Sequence, residues 1–255
     1  MKNSRVGPIA PPWTDFGHRR RHVPRRQASA WHPAHAAATM RNAMPKSPRR
    51  SSVPAATPDR FGPEYYRRFY DDPATRVADA DGVSLLAGFV AAYLRYLDLD
   101  VRTVLDVGCG HGHWRTAASS LWPRAKYHGV EFSTHLCERF GWTQGSVVDF
   151  DPKAAFGRER FDLVVCQGVL QYLDDRSAAR ALTNLAKWCD GALYLEALTA
   201  RDWRENCDRK RTDGDVHLRT GAWYRQRLQK HFRTAGGGVF VAKRAPVAFF
   251  ELEAP

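Results

Sequence analysis

Three glycines at alternate positions, Gly108, Gly110 and Gly112, stand between an apolar run and a helix start in the stretch 103–114. Glycines so spaced let the backbone turn tightly and let a ligand approach with no Cβ in the way. A ligand held there meets the N-terminus of the next helix. Val104, Leu105 and Val107 in front of the turn read as a central parallel strand, with Asp106 inside it. Open α/β sheets bind nucleotides at that place, outside the carboxyl ends of their strands. His113 occupies the position of the third glycine of a dinucleotide G-x-G-x-x-G, and no Gly-Lys-Ser/Thr follows as in a phosphate-binding P-loop. The spacing therefore points to a nucleotide-like ligand of another kind.

A carboxylate follows where such a ligand would use one. The run 127–133 (Y-H-G-V-E-F-S) reads as a second strand ending at Glu131, nineteen residues after Gly112. Glu131 there can accept hydrogen bonds from both hydroxyls of a ribose. The run 145–150 (G-S-V-V-D-F) reads as the third strand, with Asp149 and Phe150 at its end; Asp149 fits a turn former as well as a ligand contact. A fourth strand runs from Phe161 to Gln167 and a fifth from Gly191 to Glu196. Gly237–Lys243 and Pro246–Glu253 read as a closing antiparallel hairpin. Strands alternate with helices, over 82–98, 174–188 (after the N-cap pair Asp174 and Asp175) and 221–232. Leu85, Val90, Leu94 and Leu97 define one apolar side of the first of these. The expected fold is α/β: a doubly wound, mostly parallel seven-stranded sheet with a C-terminal antiparallel hairpin and helices on both faces.

The string D-V-G-C-G-x-G, followed in order by Glu131, the 145–150 run and the F-D-L-V-V-C-Q-G-V-L-Q-Y-L segment at 161–173, resembles the class I S-adenosylmethionine-dependent methyltransferases. The likeness spans about residue 60 to the C-terminus. It implies S-adenosyl-L-methionine as cofactor, with Asp106, Gly108, Gly110, Gly112, Glu131, Asp149, Phe150 and Gln167 at its site. Asp149 would meet the adenine amino group and Gln167 the methionine part. Asp106 has a second reading, as a residue that orients the glycine turn through hydrogen bonds. The family's acceptor and acid–base groups stand at the ends of strands four and five and in the segment after strand five, here 199–219. That segment carries six basic and five acidic residues and reads either as a substrate lid or as a solvated, charge-balanced loop.

Methyl transfer by in-line displacement rests mainly on positioning and exclusion of water, with a base where the acceptor needs one. Glu196 and His217 are the first candidates for acid–base work. Gln171, Tyr172, Trp203 and Tyr224 are candidates for acceptor contacts, with Asp213 and Asp215 behind them. The aromatic stretch 61–70 reads as a short helix that covers the cleft or simply packs on the sheet edge. The expected acceptor is a small molecule: the Asn/Asp-Pro-Pro-Tyr of adenine methylation and the Pro-Cys of cytosine methylation are missing after strand four.

The net charge of +12 is misleading as a guide to partners. Residues 1–58 hold eleven Lys/Arg against Asp15 alone, leaving +2 for the rest. A near-neutral body does not point to nucleic acid. Binding through the basic tail to RNA or protein is the alternative, as is a partner-binding module that kept the cofactor fold. Residues 1–58, rich in Pro, Arg, Ala and Ser, are expected to be disordered, and residues 59–255 to form the domain. The tail fits a flexible arm, a transit peptide or an early start codon, since Met40 and Met44 follow. Five cysteines without a C-x-x-C pair suggest a reducing, cytoplasmic setting and no structural zinc. His111 and His113 do not make a metal site by spacing, so none is expected. The longest apolar run, Val83 to Leu94, is too short to span a membrane. The sequence leaves the oligomeric state open.

Overall fold

The computed structural model describes residues 57–250. The basic segment 1–58 thus lies, but for its last two residues, outside the described residues, as do Glu251, Leu252 and Glu253. Seven strands form one sheet: β1 (Thr103–Val107), β2 (Lys126–Glu131), β3 (Thr143–Gln144), β4 (Phe161–Gln167), β5 (Cys189–Glu196), β6 (Phe232–Gly236) and β7 (Val239–Ala242). Their order is β3-β2-β1-β4-β5-β7-β6, parallel except for β7, which runs antiparallel to both neighbours. The chain starts at β1, winds outward through β2 and β3, then returns to β4 on the other side. The crevice between the carboxyl ends of β1 and β4 is the point where ligands bind in such sheets.

All five residues of β1 are buried, as a central parallel strand requires. Alternate residues of β4 feed two cores. Leu163 and Val165 pack with Val83, Val90 and Leu94 of α2 (Ala80–Tyr96) and Trp114 of α3 (His113–Leu121) on one face. Val164 and Cys166 pack with Leu182 and Leu185 of α6 (Asp175–Trp188) and Leu228 of α8 (Gly221–Leu228) on the other. Asp174 caps α6 by accepting the Ser177 amide.

Four expectations need correction. The 145–150 run is not a strand: β3 has only two residues, and the Asp149 and Phe150 amides bond back to the Ser146 carbonyl in a turn. The Asn184 side chain of α6 donates 2.9 Å bonds to the Val147 and Val148 carbonyls, so this β-prone segment meets its backbone needs without a partner strand. The hairpin lies earlier than expected. Gly236, Gly237 and Gly238 all have left-handed φ and make its turn, so Phe232 belongs to β6 rather than to the preceding helix. Pro246–Phe250 forms no strand; the Arg233 guanidinium holds it by the Val247 carbonyl at 2.7 Å. Finally, Leu85 is 78% exposed, because the buried face of α2 runs through Ala87, Val90, Ala91 and Leu94.

Two glycines predict opposite stability changes. A Cβ on Gly191 would lie 2.3 Å from the Asp162 carbonyl oxygen of β4, whereas a Cβ on Gly88 within α2 meets nothing within 4 Å. Gly191→Ala should therefore lose about 1–3 kcal/mol, and Gly88→Ala should gain about 0.5–1 kcal/mol through helix propensity. Urea unfolding of the two variants checks both signs.

Candidate functional site

A cavity of about 1380 Å³ opens at the carboxyl ends of β1, β2, β4 and β5. Its inner end is the glycine turn. The Glu131 carboxylate, ending β2 and 5% exposed, accepts the Gly110 amide at 2.8 Å on one oxygen, and the Phe132 and Ser133 amides at 2.8 and 2.9 Å on the other. Burial pushes its pKa up, opposed by these amides and by the Tyr66 hydroxyl. A carboxylate offers about four acceptor directions. Three backbone amides leave one, toward which the Tyr66 hydroxyl also lies, so Glu131 has room for little more than one further donor.

The glycines divide by role. A Cβ on Gly108 would strike Val169 at 2.3 Å, and Gly110 donates to Glu131. Gly112 does not line the cavity; with φ at 76° it starts α3, and a Cβ there would meet the Trp142 ring at 2.8 Å. Packing, not a ligand, fixes that glycine. Asp106 lines the cavity, 2% exposed, and accepts the Tyr127 hydroxyl. Burial lifts its carboxyl to about 7, with the Tyr127 bond opposing.

The far side is a chain of polar contacts across the ends of β4 and β5. The Trp114 indole donates to Gln167 Oε1 at 2.8 Å. Gln167 Nε2 donates to Glu196 Oε2 at 3.1 Å, and the Tyr194 hydroxyl reaches the same oxygen at 3.0 Å. Glu196 is open to the cavity yet walled on most sides, and the resulting desolvation raises its pKa. Gln171, on the 3-10 turn Leu170–Tyr172 after β4, is buried in the wall with its Oε1 unpartnered.

The segments 57–72 and 199–219 cover the cavity. The first contains a 3-10 turn (Pro58–Phe61), α1 (Pro63–Tyr66) and a π-helical turn (Arg67–Asp71). Its Tyr65 hydroxyl meets the Tyr172 hydroxyl at 2.6 Å, and the Phe61 carbonyl accepts the Ser133 hydroxyl at 2.6 Å. The stretch 61–70 is thus a cover over the cleft. In the second, Thr199 and Arg219 pair at the base, α7 (Ala200–Glu205) follows, and Asp202, Asp208, Arg211, Asp213 and His217 reach the cavity. Arg60 joins the two covers through the Asp213 carboxylate at 3.4 Å and the Asp215 carbonyl at 2.6 Å. The His217 amide donates to the Gln171 carbonyl at 2.7 Å, and burial lowers the His217 pKa.

Several expected site residues stand elsewhere. Asp149 is exposed and does not line the cavity; Ser146, Val147 and Val148 do. Phe150 packs between Phe156 and Trp188, away from the cavity. Trp203 packs on Gly214 and under the Arg209 guanidinium, and Tyr224 is buried in the core beneath α8. Asp215 contributes only its carbonyl. Glu196, His217, Gln167, Gln171 and Tyr172 all line the cavity.

Sequence reasoning missed Arg219. Its buried guanidinium binds Asp175 at 2.8 Å, the carbonyls of Leu170, Leu173 and His217, and the Tyr224 hydroxyl, and it lies over the Trp223 ring. It fastens the 199–219 cover to the turn after β4. The signal was an arginine beside the N-capping Thr220, visible only as one charge among eleven. Among the described residues no group of three His, Cys, Asp or Glu could hold a metal ion, and no helix is long and apolar enough to cross a membrane.

Residues 105–190, from β1 to the start of β5, match the family model described as a methyltransferase domain. Over 118 residues the chain is 27% identical to the malonyl-[acyl-carrier protein] O-methyltransferase of Legionella pneumophila, covering 44% of this chain and 42% of that enzyme. The chain thus matches less than half the length of that relative. A plantazolicin methyltransferase solved with a pentazolic desmethylPZN analogue and SAH aligns at TM-score 0.48 and 14% identity, over 65% of this chain and 72% of that one. Magnesium protoporphyrin IX methyltransferase from Synechocystis PCC 6803, solved with bound SAM, aligns at TM-score 0.46 and 18% identity, over 72% and 91%.

Asp106 ties the domain's stability to pH. Its folded pKa of about 7 lies above the usual carboxylate value, so the native state keeps a proton that the unfolded chain releases between roughly pH 4 and 7. Its contribution is therefore present at low pH and lost as pH rises through 7. Asp106→Asn should remove a decline of up to about 4 kcal/mol across that window. The difference between wild type and variant in urea midpoints at pH 4 and pH 7 measures it.

Proposed function

We propose that the chain is an S-adenosylmethionine-dependent methyltransferase acting on a small-molecule acceptor. The observation that carries this reading is Glu131, a buried carboxylate bound to the Gly110 amide and facing the cavity at the end of β2. Its open acceptor direction suits a ribose hydroxyl, and Phe132, Val147 and Val148 offer apolar wall beside it for adenine. Gln167 lies toward the methionine part. S-adenosylmethionine supplies a methyl group on a sulfonium.

The chain's own residues then position and protect. The tyrosine-rich cover 61–70 excludes water from the inner end. Glu196, with a raised pKa, and His217, neutral at pH 7 because burial lowers its pKa, are the groups that can take a proton from the acceptor. Gln171 and Tyr172 form the wall nearest the 199–219 cover, which serves as the substrate lid. Five free cysteines support a reducing cytoplasmic setting.

Calorimetric titration of S-adenosylhomocysteine into the full chain tests the reading. Micromolar binding is expected, weakened about tenfold or more by Glu131→Ala. A well-folded protein that binds none would overturn it.

A further inference from the structure

The acceptor end of the cavity is built to receive hydrogen-bond donors. Glu196 ends β5, and Gln171 lies on the turn that follows β4; both line the cavity. Gln167 and Glu196 are register partners, and the Gly168 amide donates to the Glu196 carbonyl at 3.0 Å. The Gln171 side-chain amide lies against Gly168, 3.7 Å from where a Cβ would sit. Glu196 Oε2 takes both available donors, Tyr194 and Gln167, and no hydrogen bond from the described residues reaches its Oε1. Gln171 is 9% exposed, and its Oε1 has no partner although it lines the cavity. A buried carbonyl without a donor is costly, and a ligand N–H removes that cost.

The charges on the wall agree. Of the guanidinium groups near the site, Arg76 is paired with Asp79 at 3.2 Å and Arg60 with Asp213 at 3.4 Å, while Arg211, which also lines the cavity, donates to the Pro73 carbonyl and keeps a buried Nε without a partner. Glu196, Asp202 and Asp208 face the same space. A carboxylate at the ends of β4 and β5 would meet the like charge of Glu196, whereas a cation there meets an opposite one.

We propose that the acceptor is a basic amine, held by Glu196 and the Gln171 carbonyl and methylated on nitrogen. The proposal rests on the methyltransferase reading and narrows it to one substrate class, distinct from a free carboxyl group. The amine arrives as an ammonium and gives one proton to Glu196. Its freed lone pair forms the N–CH3 bond as the sulfonium C–S bond breaks, with that electron pair staying on sulfur. The methylated nitrogen then carries the positive charge, and the leaving thioether is neutral.

The experiment compares two probes with the same phenethyl chain and opposite charge, phenethylamine and phenylpropionate, titrated by calorimetry into the full chain saturated with S-adenosylhomocysteine. The amine should bind about tenfold or more tighter than the carboxylate. Glu196→Gln should abolish that preference and Gln171→Leu should reduce it severalfold, with S-adenosylhomocysteine affinity within about twofold of wild type in both. Equal or tighter binding of the carboxylate, no binding of the amine, or a preference that survives both substitutions overturns the proposal while the cofactor reading stands. Failure of wild type to bind S-adenosylhomocysteine removes the cofactor reading and this proposal with it.

Discussion

The bond from the Gly110 amide to Glu131 is the contact on which the site depends. It joins the loop after β1 to the end of the neighbouring strand β2, beside the crevice between β1 and β4. The sheet alone leaves the 108–112 turn free to take many paths, since three of its residues are glycine with left-handed φ. A carboxylate that collects three backbone amides removes that freedom. It also sets a negative group facing the cavity, held in place from behind by the chain itself. Desolvation raises the cost of such a charge, and the amides offset it. The inner end of the cavity is therefore shaped before any ligand arrives.

The outer end is closed by a different kind of interaction. Both covers are short helical turns and loops; the 57–72 cover packs Phe61 and Tyr66 against Leu136, and each cover is also fastened by a few long-range polar pins. Arg219 secures the 199–219 segment to the turn after β4, and Arg60 ties the 57–72 segment to Asp213 and Asp215. The first pin is buried and many-bonded; the second is half-buried, with one contact at 3.4 Å. The Tyr65–Tyr172 hydroxyl pair adds a neutral bond to the second. Opening at the Arg60 seam costs fewer hydrogen bonds than lifting the Arg219 base.

How much of this was legible follows from the range over which each signal acts. β1, β2, β4 and β5 were visible because buried parallel strands are short apolar runs ended by a glycine or a carboxylate, all within one window of sequence. Glu131 was visible for the same reason. The 145–150 run carried the same local signal, but Asn184, more than thirty residues away, satisfies its carbonyls and turns it into a loop. Asp149 and Phe150 moved out of the site with it. Trp203 and Tyr224 show a second limit: an aromatic ring in a charged segment suits a ligand or a packing partner equally, and here both pack. Arg219 shows the third. Its importance comes from four backbone and side-chain partners on other segments, none of which local composition reports.

The two ends of the cavity differ in what their carboxylates still need. Glu131 is almost fully supplied by backbone amides, so it discriminates through shape and one remaining acceptor direction. Glu196 has one oxygen supplied by Tyr194 and Gln167 and the other without a donor among the described residues. A group that is satisfied positions, whereas a group left short of donors attracts them, and a raised pKa makes it a better proton acceptor once a donor is in place. Trp114 links the two ends physically: it sits in the first turn of the helix that follows the glycine loop and donates to Gln167, which in turn donates to Glu196. A shift of the glycine turn moves α3 and hence that chain of bonds. The inner glycine turn and the carboxylate at the outer end are thus joined through a single helix start.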